Sequence, residues 1–156
     1  MRRSFTSGKA QQRVCHCAVL QQEGIQPTMA HLPDEPAVIQ PALEGYLRDF
    51  DLIVLSGGVS KESSIICQHF ISTWGTKQHF HIVAQRPGKP FWFGTHPMRG
   101  CTVFALPGNP VSSFMCTQVY LRDWLRLSTG RTARALPYAI LLEEVVFLPD
   151  LTYFLE

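Results

Sequence analysis

The chain is predicted to be an α/β protein built on a mostly parallel sheet. Two observations carry that prediction. Continuous apolar runs, residues 52–55 and 101–106, have the pattern of strands covered on both faces. They alternate with segments whose apolar residues recur at three- and four-residue spacing, with Gly or Pro at each change of pattern. A length of 156 residues with 46% hydrophobic content suits about one globular domain with a real core.

The elements come in this order. Residues 14–23 form a short helix stopped by Gly24, which can take the left-handed conformation past a helix end. Residues 25–32 are a weak strand, and Pro27 suits a sheet edge. Asp34 is the expected N-cap, with Pro36 near the first helical position, of an amphipathic helix over 36–49 that presents Ile39, Leu43, Tyr46, Leu47 and Phe50. A buried strand at 52–55 leads into "SGGVS" and a helix over 61–74. Strands at 78–84, 91–94 and 101–106 come next, with the turn "RPGKP" after the first of them. "PGNP" opens a helix over 110–128, on which Val111, Phe114, Met115, Val119 and Trp124 supply apolar faces, and Gly130 lies past its end. After Thr129 two β-rich runs are separated by Pro149 and Asp150. They read as the start of a different, incomplete β unit over 131–156.

Several function classes are disfavoured by composition. Fourteen Lys and Arg against twelve Asp and Glu leave a net charge of +2, too small to point to nucleic acid. Arg2, Arg3, Lys9 and Arg13 crowd the start, read as a solvated, frayed end. Neither an 18-residue apolar run nor a secretory h-region is present, so no membrane association is expected. Five cysteines without compact spacing fit reduced thiols in the cytoplasm. Cys15-His16-Cys17 lacks a second pair at zinc spacing. His79 and His81 share a strand face but lack an evident third ligand. Trp74, Trp92 and Trp124 are expected in the core or an interface.

Three loops carry the candidate chemistry. In a parallel sheet, ligands lie beyond the carboxyl ends of the strands. "SGGVS", "RPGKP" and "PGNPVSS" all leave such ends and should meet on one rim. Gly57 and Gly58 let backbone N–H groups approach an anion without a Cβ in the way. Ser60 and Ser112 add hydroxyls, and Pro110 begins a helix whose N-terminus favours negative charge. Arg86 and Lys89 place two cations on a turn stiffened by Pro87 and Pro90, with Gly88 between. A phosphate, pyrophosphate or tetrahedral oxyanion is the expected guest.

"PDEPAVIQPALEGYLRDFDLIVLSGGVS", "AQRPGKPFWFG", "VFALPGNPVSSFMCTQVYL" and "LPYAILLEEVVFLPDLTYFL", in that order over residues 20–156, resemble the central domain of the molybdopterin molybdotransferases, the family that includes the gephyrin E-domain. The resemblance implies a three-layer sandwich with a mostly parallel sheet over 20–130 and the start of a C-terminal β domain over 131–156. It implies insertion of molybdate into adenylylated molybdopterin, with Mg2+ present and AMP released, by a homodimer. By the family's motifs, Ser60, Arg86, Lys89, Pro90 and Ser112 line the molybdate pocket, and Ser56, Gly57, Gly58, Gly108 and Asn109 complete the anion-binding loops. Arg86 stands where lysine is common, a planar fork in place of a point charge.

The departures lie at the acidic half of the site. The family continues "GGVS-x-G-x-x-D", and its aspartate serves magnesium binding and hydrolysis. Here the glycine position is Glu62 and the aspartate position is Ile65, which can neither bind a metal nor act as a base; Glu62, three residues away, is the weak candidate to replace the aspartate, although its side chain at the glycine position should point elsewhere. Residues 1–19 match the family poorly, and its upstream Gly-Asp-Glu strand end is absent. Three readings stay open: a molybdotransferase domain with impaired turnover, a non-catalytic pterin- or anion-binding module, and a truncated, inactive family member.

Overall fold

The computed structural model describes residues 4–7, 10–33, 35–57, 73–135, 137–147 and 150–155. Its centre is a six-stranded sheet: β1 (Ser4–Ser7), β2 (Pro27–Ala30), β3 (Leu52–Ser56), β4 (Lys77–His81), β6 (Trp92–His96) and β7 (Cys101–Leu106), in the order β2-β1-β3-β7-β6-β4. β2, β1, β3 and β7 pair in parallel. β6 is antiparallel to both β7 and β4. β4 therefore runs with β7, and five of the six strands point the same way. A second, two-stranded ladder joins β5 (Gln85–Arg86) to β8 (Thr152–Tyr153) in parallel.

Helices cover both faces, giving three layers. On one face α2 (Pro36–Asp49) buries Leu43 and Leu47 against Ile53, Leu55, Val103 and Ala105. Its spacing is the one expected, and Ile39, Tyr46 and Phe50 flank the contact. The other face receives Leu20 of α1 (Ala10–Gln22) and Leu121 and Leu125 of the last helix, over Leu52, Val54, Phe91, Phe104 and Leu106. Trp92, Phe91 and Phe104 are fully buried. Each such side chain stabilises the fold by roughly 1.5–3 kcal/mol. Trp74 and Trp124 pack against the two cores as partly buried residues.

Several boundaries differ from expectation. The frayed start instead contains a strand, since Ser4–Ser7 lie between β2 and β3 in the sheet, and α1 begins at Ala10. Gly24 does end α1: its φ is +79°, and the Ile25 N–H reaches back to the Leu20 carbonyl at 2.9 Å. β2 is an edge strand, as Pro27 suggests. The N-cap of α2 is Glu35 rather than Asp34, which lies outside the described residues, and the Glu35 side chain makes no capping bond. The helix expected over 61–74 also falls largely outside them.

The helix opened by Pro110 is continuous but not uniform. It comprises α3 (Pro110–Cys116), a π-turn (Thr117–Leu121) and α4 (Arg122–Ser128). Phe114, expected on an apolar face, lies 45% exposed. Small groups face inward: Ser112, Ser113, Cys116 and Thr117 are buried. They let α1 and the 85–88 turn approach closely.

Glu23, at the end of α1, is held by three arginines: Arg122 at 2.6 Å, Arg131 at 3.0 Å and Arg126 at 3.4 Å. Burial alone would raise its carboxyl, but the Arg122 hydrogen bond and the three guanidinium charges outweigh it and hold the pKa below the ordinary value. Beyond Gly130 the β-rich runs of 137–147 form no strand among the described residues. Tyr138, Ile140 and Leu142 are almost wholly exposed there, with only β8 paired further on.

Gly94 shows how tightly β6 is packed. A Cβ there would lie 2.4 Å from Cη2 of Trp92 and 2.8 Å from the Lys77 carbonyl oxygen. Gly94→Ala is expected to cost about 2 kcal/mol by overpacking, read as a lower denaturant midpoint at unchanged slope.

Candidate functional site

The strand register places the candidate loops. One row of residues crosses the sheet near its carboxyl rim: Leu55 opposite Ala105, Ala105 opposite Trp92, and Trp92 opposite His81. Gly57 comes directly after β3, Pro107 and Gly108 directly after β7, and the 82–91 segment joins β4 to β6. All three leave by that rim.

The first and third loops touch. Gly57 has a φ of +96°, a left-handed conformation that favours glycine, and its N–H reaches the Leu106 carbonyl at 3.4 Å. A Cβ on Gly108 would stand 3.7 Å from the Gly57 Cα. The Ser56 hydroxyl lies 3.5 Å from the Pro107 carbonyl and 3.3 Å from the Ser113 hydroxyl. Ser113 in turn meets Nε2 of buried His16 at 2.9 Å. His16, Ser113 and Ser56 thus form a polar chain from α1 through α3 to the Gly57 turn. Burial pushes the His16 pKa down from 6.5 to about 4, so the ring is neutral at ordinary pH. The sequence presents His16 only as a metal-like residue between two cysteines. Its partner lies 97 positions away, and no local spacing announces it.

Asn109 caps α3 by accepting the Ser112 N–H at Oδ1, 3.1 Å away, a bond worth about 1 kcal/mol. That amide, one of those offered to an anion at the helix start, is used inside the protein. Ser112 is itself buried.

The second loop carries the cations. Arg86 and Lys89 are exposed, and among the described residues neither side chain forms an ion pair. Pro90 is half-buried. The Arg86–Pro87 peptide is cis, and Gly88 has a φ of +94°. A Cβ at Gly88 would sit 2.7 Å from Gln85 Nε2, 2.8 Å from Cys116 Sγ and 2.9 Å from Met115 Cε. The turn is therefore seated directly on the helix that begins at Pro110. Residues 152–154 hold its outer backbone: the Thr152 N–H donates to Ala84 and the Phe154 N–H to Arg86.

Gly58, Ser60, Glu62 and Ile65 lie outside the described residues. Cys15, Cys17, Cys101 and Cys116 carry thiols rather than disulfides, and burial pushes the Cys101 and Cys116 thiols up to about 12. His79 bonds Thr95 at 2.8 Å, as an ordinary strand histidine would. Among the described residues no group of three His, Cys, Asp or Glu could hold a metal ion. No helix of the described residues is long and apolar enough to cross a membrane.

The family model of the probable molybdopterin binding domain matches residues 13–127, most of the chain. The chain belongs to this family. Among its relatives, a molybdopterin molybdenumtransferase of Synechocystis is 34% identical over 137 residues, covering 87% of this chain and 33% of the relative. Molybdopterin molybdenumtransferase 1 of Mycobacterium tuberculosis is 30% identical over 115 residues, covering 74% and 25% respectively. This molybdopterin-binding-domain chain thus spans a third or less of those two relatives. A molybdopterin biosynthesis protein from Pyrococcus horikosii shares the fold, with a TM-score of 0.64 at 21% identity over 83% of this chain and 35% of that one. The Mog protein of Mycobacterium ulcerans shares it too, with a TM-score of 0.54 at 16% identity, covering 83% of this chain and 97% of its own. The three-layer α/β fold and the family resemblance read from the loops both hold.

Proposed function

We propose that the chain acts in molybdenum cofactor biosynthesis as the pterin- and oxyanion-binding domain of a molybdopterin molybdotransferase, with cleavage chemistry impaired. The observation that carries this reading is the convergence on one rim of the Gly57 turn, the Gly108 turn and a turn bearing two cations without described acidic partners. Molybdate is a tetrahedral dianion. Arg86 offers it a planar fork and Lys89 a point charge. Ser60, by the family's motif, would join them at the molybdate, and the glycine turns would let the pterin nucleotide's phosphates approach without a Cβ in the way. The full reaction would take adenylylated molybdopterin and molybdate as substrates, in a homodimer, as the family resemblance implies, and the cysteine usage fits the cytoplasm.

The acidic half supports less. Magnesium would need hard oxygen donors, whereas the family's aspartate position is Ile65 and no described cluster of acidic side chains fits the ion. Binding is therefore assigned to this chain's residues, and metal-assisted cleavage is not. Ile65 also favours the second reading, a binding module without turnover. Calorimetry with molybdate and with molybdopterin nucleotide tests the binding claim, and saturable binding of both is expected. AMP release from adenylylated molybdopterin tests the rest: release that disappears in Lys89→Ala would overturn the impaired reading.

A further inference from the structure

We infer that Gln85, oriented by Tyr120, is the positioning residue that sets Arg86 and Lys89 toward their anion. The anion itself rests on the function proposed above; the geometry does not. Gln85 is 1% exposed although Ala84 and Arg86 on either side are exposed. A buried amide must place two donors and an acceptor oxygen. Nε2 donates to the Gly88 carbonyl at 3.1 Å and to Cys116 Sγ at 3.5 Å. Oε1 accepts from the Tyr120 hydroxyl. The side chain thus bridges the turn from residue 85 to residue 88, closing a ring across Arg86 and Pro87.

Tyr120 reaches Gln85 from within the π-turn. An i→i+5 turn holds one more residue than an α-turn, which rotates the succeeding residues by about 100° relative to a regular helix. The Arg122 N–H accordingly bonds the Thr117 carbonyl. The Tyr120 ring stacks on Phe91 at 4.9 Å, which fixes its direction. Burial, aided by Cys116, raises the phenol pKa, so the hydroxyl remains a donor and leaves Nε2 for Gly88. A Cβ at Gly88 would collide with Gln85, Cys116 and Met115, so only glycine lets the turn lie this close to them.

Tyr120→Phe keeps the ring and its stacking and removes only the donor. In hydrogen-exchange mass spectrometry, peptides spanning 85–91 should exchange faster while β3 and β7 are unchanged. Molybdate, used as the probe in calorimetry, should bind about fivefold more weakly, the equivalent of one lost hydrogen bond. Gln85→Glu can still accept from Tyr120 but cannot donate to Gly88, and should weaken binding further. A purely structural role would lower the melting temperature and leave the affinity of the folded protein as it was; that result, or an unchanged 85–91 segment in Tyr120→Phe, overturns the inference. Should the unsubstituted chain bind no molybdate, the proposed function fails, and a selectively loosened turn in Tyr120→Phe would still uphold the positioning role.

Discussion

Replacing Lys89 by alanine should weaken molybdate binding by at least tenfold, and replacing Arg86 as well should abolish the binding that calorimetry can detect. The effect is electrostatic. A unit charge pair about 4 Å apart near a protein surface is worth about 4 kcal/mol at an effective dielectric constant of 20. Losing even a third of that from one partner is a tenfold change in affinity. Both cations are exposed and form no ion pair with a described residue, so neither substitution should move the melting temperature appreciably. Affinity should also fall as salt rises, because an open site is screened. Unchanged affinity in Lys89→Ala, at low salt and with the protein folded, would remove the two-cation turn from the site. Arg86→Lys is the informative companion: it keeps the charge and removes the fork, and so separates recognition by geometry from recognition by charge.

Acidification from pH 6.5 to pH 4 is expected to cost the fold about 3 kcal/mol through His16 alone. The folded state holds this imidazole neutral down to about pH 4, whereas the unfolded chain protonates it near 6.5. Between those values the unfolded state binds more protons. Stability is therefore full above pH 6.5 and falls as pH falls through that window. Glu23 adds a later phase of the same sign: its pKa is lowered from 4.5, so its contribution is complete above 4.5 and is lost as pH falls through the folded value. Urea unfolding at steps of pH checks this. His16→Gln, which can place a neutral amide near the position of Nε2 and keep a bond to Ser113, should flatten the slope between 6.5 and 4 and spare the phase below. An unaltered slope in that variant would mean that another group carries the acid sensitivity.

The parts of this molecule that can be read from its residues are those set by local pattern. The apolar runs of β3 and β7 and the three- and four-residue spacing of α2 leave little choice, because a strand buried on both faces and an amphipathic helix each have a periodicity of their own. Gly24, Pro27 and Pro110 mark boundaries through their backbone preferences alone. The features that escape depend on distant partners. The residues of β1, Ser-Phe-Thr-Ser, carry no strand signature, and their place in the sheet comes from two parallel neighbours later in the sequence. Phe114 departs from its expected burial because small side chains take the inner face of its helix. Hydrophobicity cannot say that the close approach of α1 and the cation turn reserves the inner face for Ser113 and Cys116. The π-turn likewise has no local signal, and the chain of His16, Ser113 and Ser56 unites residues with no common motif. The three candidate loops are legible as loops, and their shared rim comes from strand direction. The buried groups that seat them are not.

The small ladder between β5 and β8 has a bearing on the order in which the molecule is made. Arg86 receives its outer backbone bond from Phe154, a residue that leaves the ribosome only after the β6–β7 hairpin and the whole 110–128 helix. Domains assemble largely from the amino end during synthesis, and pairings between remote segments form late. The turn that bears Arg86 and Lys89 is thus completed by a stretch translated well after the layered core beneath it.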